Sequence, residues 1–549
     1  MSERVALKRD PQTDRATLQA VLEAAQAGDH SRAAELAAAA LADGLEHPLL
    51  LNVAALGCEQ RGRPDEALPL LERAVRIAPN DVPCRNALGL CLLQLERPAE
   101  ALEQFNVLIR LSPDLAFAHT SRGNALLALG EISDADASFQ RAVALDPNQG
   151  VALAGLAHIA SSRGASVDAR QWAEKALTLI PGYPKAVMSL ALAELTERQL
   201  LKAEGRVRAL LEDSRLTSLE RACAEGLLGD VLDAEGSTAE AFACYSACNQ
   251  QLQETYANRF ATGTTALEYA QSMLRYFDRA QPDRWRSPPQ LGSDSSGVRG
   301  HVFLVGFPRS GTTLLEVILE GHPNVASLEE RELLIDSVQE FMQQPEDLER
   351  LARAGTATLE AARAAYWRRV AQLKVDVSGK VFVDKYPLNT LKLPLIARLF
   401  PQAKILYASR DPRDVVISCF RHRFAMSAPI YELLTIEGAA RYYDAVMQVL
   451  IKLTGLFTLQ IAPVRHEDLV TAFEREMKRI CDFIGLTWDP AMGDFALRTK
   501  NRPVLTPSTA QLVRGLNTEG LGHWHRYQAQ LAPVLPLLEP WIKRFYYSD

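Results

Sequence analysis

HVFLVGFPRSGTTLLEVILE, His301 to Glu320, decides the fold of the second half of the chain. Val302 to Val305 is a short apolar run of the kind a buried strand needs, a glycine-punctuated turn follows, and Thr312 onward reads as a helix. A strand, a loop and a helix N-terminus in that order bring backbone N–H groups and the positive end of a helix dipole to one point, which suits an anion. Gly306 and Gly311 have the glycine spacing of a phosphate-binding loop. Where a nucleotide triphosphatase places lysine and then Ser or Thr, this chain has Thr312 and Thr313, and its cation, Arg309, lies within the loop. The spacing predicts an anion site not built for a magnesium-bound triphosphate.

Downstream, Asn324–Ser327 reads as a short strand that delivers Glu329 and Glu330 just past its end. Lys380–Val383 reads as a buried strand followed at once by Asp384 and Lys385, and Lys404–Ser409 as another followed by Arg410. Helical stretches at Pro387–Phe400, Arg413–Arg423 and Tyr431–Leu453 alternate with them. That alternation predicts a mainly parallel sheet in a P-loop-like three-layer α/β domain, with ligands at the strand carboxyl ends. Arg309, Glu330, Lys385 and Arg410 each follow a different strand, so the fold itself gathers them. Ser418, two helical turns beyond Arg410, also reaches toward a phosphate. Arg421, His422 and Arg423 read as a solvated basic helix end.

The first half has a different order. Pro79, Pro113, Pro147 and Pro181 stand 34 residues apart, and Ala33, Ala67, Ala101, Ala135, Ala169 and Ala203 keep the same step. Each period holds two amphipathic helical stretches. In residues 116–149, Gly123 marks a close approach, Ala135, Phe139 and Ala142 form the packing stripe of the second helix, and Pro147 stops it. The period resembles tetratricopeptide repeats. About six units and a further helical pair predict an all-α solenoid over residues 1–258, a connecting segment over 259–299, and the α/β domain over 300–549. Such an array binds protein or extended peptide on its concave face. Asn52, Asn86 and Asn124, on successive first helices, are candidates for an asparagine ladder along a peptide backbone.

At 549 residues the chain is long enough for two or more cores, and its formal charge of -7 argues against nucleic acid as the main partner. The charged opening has no apolar signal region, and no run of about 18 apolar residues occurs. A soluble, non-exported, cytoplasmic protein is the expectation, with no membrane partner. The eight cysteines are scattered with no CxxC pair, so they read as reduced core thiols.

From Val302 to Trp524 the chain resembles the sulfotransferases that use 3′-phosphoadenosine 5′-phosphosulfate (PAPS), the tyrosylprotein enzymes above all. RSGTT (Arg309–Thr313) resembles the family's loop for the 5′-phosphosulfate, and Arg410 with Ser418 its 3′-phosphate pair. DKYPLNTLK (Asp384–Lys392) is similar to the segment bearing the catalytic lysine, which places that role on Lys385. HEDL (His466–Leu469) and Cys481–Pro490 resemble the segment after the fourth strand. PSTAQLVRGLN (Pro507–Asn517) with Trp524 resembles the loop that closes over the co-substrate, with Ser508 and Arg514 as contacts.

The resemblance implies an enzyme that moves a sulfuryl group from PAPS to an acceptor hydroxyl. Ser310, Gly311, Thr312 and Thr313 would hold the 5′-phosphate, Arg309 and Lys385 would offset charge, and no metal is needed. Glu330 is the base expected to gain strength from burial beside the acceptor, with Glu329 as the alternative. Two residues past the presumed base the tyrosylprotein enzymes carry arginine, and this chain has Glu332. His466 replaces an aromatic expected near the adenine. The acceptor is therefore open between a polypeptide, recruited through the repeats, and a glycan or small hydroxylated metabolite, with the repeats serving assembly only. A non-catalytic PAPS-binding interaction protein is the third reading, and Thr312 in place of lysine speaks against a nucleoside kinase or nucleotide hydrolase with a degenerate loop.

Overall fold

The structure, a computed structural model, describes residues 11–261, 263–292, 296–501, 512, 515–518 and 520–547. Ser508 and Arg514 lie outside them. The chain divides into two compact units, residues 1–161 with 165–193 and residues 162–164 with 194–549.

The first unit is built of helix pairs. First helices start at Pro48, Val82, Ala116 and Gly150, which keeps the 34-residue step of the prolines. Starts are chemically marked: Asp81 caps its helix by accepting from the Cys84 amide, and Pro64 and Pro98 sit where a missing N–H costs nothing. The periodic alanines Ala67, Ala101, Ala135 and Ala169 are fully buried. Phe139 fills the space left by two glycines on neighbouring first helices, since a Cβ on Gly123 or on Gly155 would stand 2.6 Å from its ring. Gly123→Val is therefore expected to cost about 1–3 kcal/mol through overpacking, read as a lowered urea midpoint with an unchanged slope. Asn52 and Asn86 are half-buried, and Asn124 accepts from the Lys185 ammonium at 3.3 Å.

The second unit opens with three helices, Leu200–Leu211, Ser218–Glu235 and Thr238–Phe260. The periodicity groups them with the array, yet two of them bond to the α/β part. Asn249 donates to the Phe420 carbonyl at 2.9 Å, and Asp230 and Asp233 pair with Arg423 and Arg421 at 2.6 Å each. Arg421 and Arg423 are thus paired and largely buried, not a solvated helix end. The reason is the two aspartates, which lie about 190 residues upstream in sequence. The segment between the helices and the sheet holds the helix Ala266–Arg279 and a buried Trp285 stacked edge-on against Phe277.

The sheet has five parallel strands in the order β2-β3-β1-β4-β5. They are β1 (Gly300–Gly306), β2 (Val325–Glu329), β3 (Val381–Lys385), β4 (Lys404–Ser409) and β5 (Gln460–Arg465). β5 was not legible in the sequence, because it alternates exposed and buried residues and contains Pro463, which an edge strand tolerates. HEDL accordingly follows the fifth strand, not the fourth. Val302, Leu304 and Val383 pack against Leu315, Ile318 and Leu319 of the helix after the loop, Thr312–Leu319, in one core. On the other face His301, Phe303, Tyr366 and Phe400 form an aromatic layer. Among the described residues no helix is long and apolar enough to cross a membrane.

Candidate active site

The carboxyl ends of β1 to β4 converge on one place. After β1 the chain turns through Arg309, whose φ of 69° is left-handed, and Gly311, with φ 96°, into the helix Thr312–Leu319. Glycine takes that conformation freely, whereas arginine is strained there, and such strain collects at functional sites. The Thr390 hydroxyl donates to the Gly306 carbonyl at 2.8 Å and anchors the turn to the segment after β3. Ser310, Thr312 and Thr313 are buried, and the Ser310 hydroxyl has no hydrogen-bond partner.

Arg309 Nε donates to Ser418 Oγ at 3.0 Å, and Arg410 donates to the Arg309 carbonyl at 3.4 Å and to the Gly520 carbonyl. The three residues that the sequence assigned to two phosphate subsites are therefore contiguous. Desolvation, with the neighbouring charge of Arg410, pushes the Arg309 guanidinium down to about 10. A positive charge is uncomfortable in that place, and a bound anion would relieve it. Buried Arg410 Nε, like the Ser310 hydroxyl, lacks a partner. Orphaned donors beside a helix N-terminus fit a phosphorylated ligand.

The stretch after Arg410 holds the C-terminal segment in place. Asp414 accepts from the amides of Gly522 and Trp524 at 2.8 and 2.9 Å, and the Arg413 guanidinium lies 3.8 Å from the Trp524 ring centroid. Trp524 thus packs against the helix of Ser418 (Pro412–Arg421). His466 rests on the loop: a Cβ on Gly311 would stand 2.7 Å from its Nδ1. Burial, reinforced by Arg410 and Arg309, pushes His466 down to about 3 and keeps it neutral.

Lys385 ends β3 and is fully buried. Its ammonium lies 2.9 Å from Glu330 Oε1, 3.3 Å from Glu316 Oε2 and 3.8 Å from Glu329 Oε1. Parallel pairing of β2 with β3 sets Glu329 opposite Lys385, and the Glu330 amide then donates to the Lys385 carbonyl at 2.9 Å. Glu330 has a φ of 42° and a side chain 44% exposed. Burial is therefore not what conditions this carboxylate. Its environment is the ammonium and solvent. Sequence reasoning missed Glu316. It also missed the pairing of Glu332 with Lys392 at 2.6 Å, which neutralises the carboxylate standing where an arginine was expected.

Residues 301–490 match the profile described as Sulfotransferase family. Residues 60–119, and residues 18–82 and 120–184, match two profiles described as Tetratricopeptide repeat. A protein of Aquifex aeolicus (strain VF5) described as uncharacterized is 30% identical over 263 residues, 45% of this chain and 34% of that protein. The chain thus spans about a third of that relative's length. Protein-tyrosine sulfotransferase 1 of Danio rerio is 25% identical over 260 residues, 43% of this chain and 71% of that protein. Among solved structures, the sulfotransferase domain from the Synechococcus PCC 7002 olefin synthase aligns at 23% identity with a TM-score of 0.32, over 48% of this chain and 100% of that one.

Proposed function

From a chain that carries a sulfotransferase-family domain behind tetratricopeptide repeats, we propose an enzyme that moves a sulfuryl group from PAPS to an acceptor hydroxyl on a polypeptide recruited by the repeats. The observation that carries this reading is the convergence of Arg309, Lys385, Arg410 and Ser418 beside Glu330 at the ends of four strands. Loop amides from Ser310 to Thr313 would hold the 5′-phosphate, and Arg410 with Ser418 the 3′-phosphate. Ser508 and Arg514 would contact the co-substrate as well, as the resemblance implies.

Transfer forms a bond from the acceptor oxygen to sulfur and breaks the bond from sulfur to the bridging oxygen. The acceptor's proton passes to Glu330. Lys385 and Arg309 offset the charge that grows on the leaving side, so positioning and electrostatics supply most of the acceleration. Relatives named as protein-tyrosine sulfotransferases support tyrosine as the acceptor. A second reading, a glycan or small hydroxylated metabolite, is favoured by Glu332, whose pairing with Lys392 leaves no arginine there to face an acidic peptide.

Arg410→Met tests the donor site. A charged hydrogen bond is worth about 1.5–3 kcal/mol, so affinity for adenosine 3′,5′-bisphosphate by calorimetry should fall about 10- to 150-fold. Unchanged affinity would remove Arg410 from the site. Asn52, Asn86 and Asn124 replaced together by alanine should weaken acceptor affinity and leave donor affinity alone.

A further inference from the structure

Beside Lys385 lies a set of polar groups that the proposed transfer does not use. Glu316 sits one turn into the helix that follows the loop and is 2% exposed. Its Oε2 faces the Lys385 ammonium, and its Oε1 lies 3.0 Å from Ser327 Oγ on β2. The same Ser327 oxygen lies 2.5 Å from Oε1 of Glu320, the residue that caps the end of the helix.

A hydroxyl has one hydrogen. It satisfies one of two carboxylate oxygens, and the other contact would set two acceptors against each other. The arrangement is balanced only if one of the two carboxyl groups carries a proton. The short contact to the half-buried Glu320 has the length of a charge-assisted O–H···O⁻ bond, so Ser327 donates to Glu320 and the carboxylic O–H of Glu316 donates to Ser327. Charge counting agrees, since Lys385 already faces the carboxylates of Glu329 and Glu330.

Resting on the sulfotransferase reading of the site, we infer that Glu316 is a positioning residue that acts through Lys385: it works as the neutral acid, and its ionisation draws the ammonium away from the substrates. Burial pushes Glu316 up to about 8, with Lys385 opposing the rise and Glu329 and Glu320 reinforcing it. Arg498, from the neighbouring helix Phe495–Asn501, adds a favourable charge beside Glu320. Below that value Lys385 is held mainly by Glu330 and is free to follow the charge that grows during transfer. Above it a third carboxylate at 3.3 Å competes for the ammonium.

Two measurements on the full chain test this. In the first, pH-difference infrared spectra of the ligand-free protein should show a carboxylic C=O band that titrates near the value for Glu316 and is missing in Glu316→Gln. In the second, wild-type kcat should fall about tenfold between about pH 7 and about pH 9 on a single-proton limb, while Glu316→Gln, uncharged throughout, stays level over that range. No such band in the wild type, a band that persists in Glu316→Gln, or a limb that the variant leaves in place would each overturn the inference. The infrared arm needs neither donor nor acceptor. Failure of the sulfotransferase reading would therefore appear separately, as no turnover in either chain with the band intact.

Discussion

Glu330→Gln is expected to lose about 10²- to 10⁴-fold in kcat, the range typical of a positioned general base, with donor affinity unchanged. The amide has nearly the carboxylate's shape, and its oxygen still accepts from the Lys385 ammonium, 2.9 Å away in the native chain. With 44% of the side chain exposed, little packing is at risk. What disappears is the capacity to take a proton from the acceptor. The left-handed φ of 42° at this residue marks a backbone held by its surroundings, by the amide's bond to the Lys385 carbonyl above all. Glu329→Gln is the matched control. It removes a carboxylate at 3.8 Å from the same ammonium, and its effect should be much the smaller. Near-full turnover in Glu330→Gln with the donor still bound would refute the assignment.

The second large effect belongs to Asp233, far from the chemistry. Its carboxylate accepts from Arg421 at 2.6 Å, from His523 at 3.2 Å and from the Tyr527 hydroxyl at 2.8 Å, and Arg526 lies at 3.1 Å. Asp233→Ala leaves these groups without their shared partner. Breaking a buried pair from one side costs about 3–5 kcal/mol, which a urea midpoint would read directly. Donor affinity should fall as well, because Arg421 ends the helix that carries Ser418 and His523 borders the Trp524 segment.

The acid limb of stability gives the sign. Burial alone would raise the Asp233 carboxyl, but the His523 hydrogen bond, the Arg421 charge and Tyr527 override it and hold it at about 2. A depressed acid stabilises above its unfolded value of about 4, and that contribution is lost as pH falls toward 2. Wild type should therefore lose about 2–3 kcal/mol across that window, and Asp233→Asn should lack this component.

The loop, the lysine and the two arginines were legible in the sequence because each is tied to a local signal, a glycine spacing or the end of an apolar strand. The repeats were legible for the same reason, through a fixed step in Pro and Ala. Glu316 was not. Four residues before Glu320 on an apolar helix, it reads as one edge of a solvated face, and only the sheet's strand order turns that edge toward Lys385. Arg421 and Arg423 failed likewise, since Asp233 and Asp230 come from one helix, Ser218–Glu235, that the periodicity assigned to another part of the chain. Long-range charge pairs leave no local mark.

Incubation of the full chain with 35S-labelled PAPS and a cell extract, followed by separation of protein from glycan and small molecules, tests the central claim most directly. The expected result is label in the protein fraction, lost in Glu330→Gln and in Lys385→Met. No label in any fraction, or transfer of label from γ-labelled ATP in its place, would contradict it.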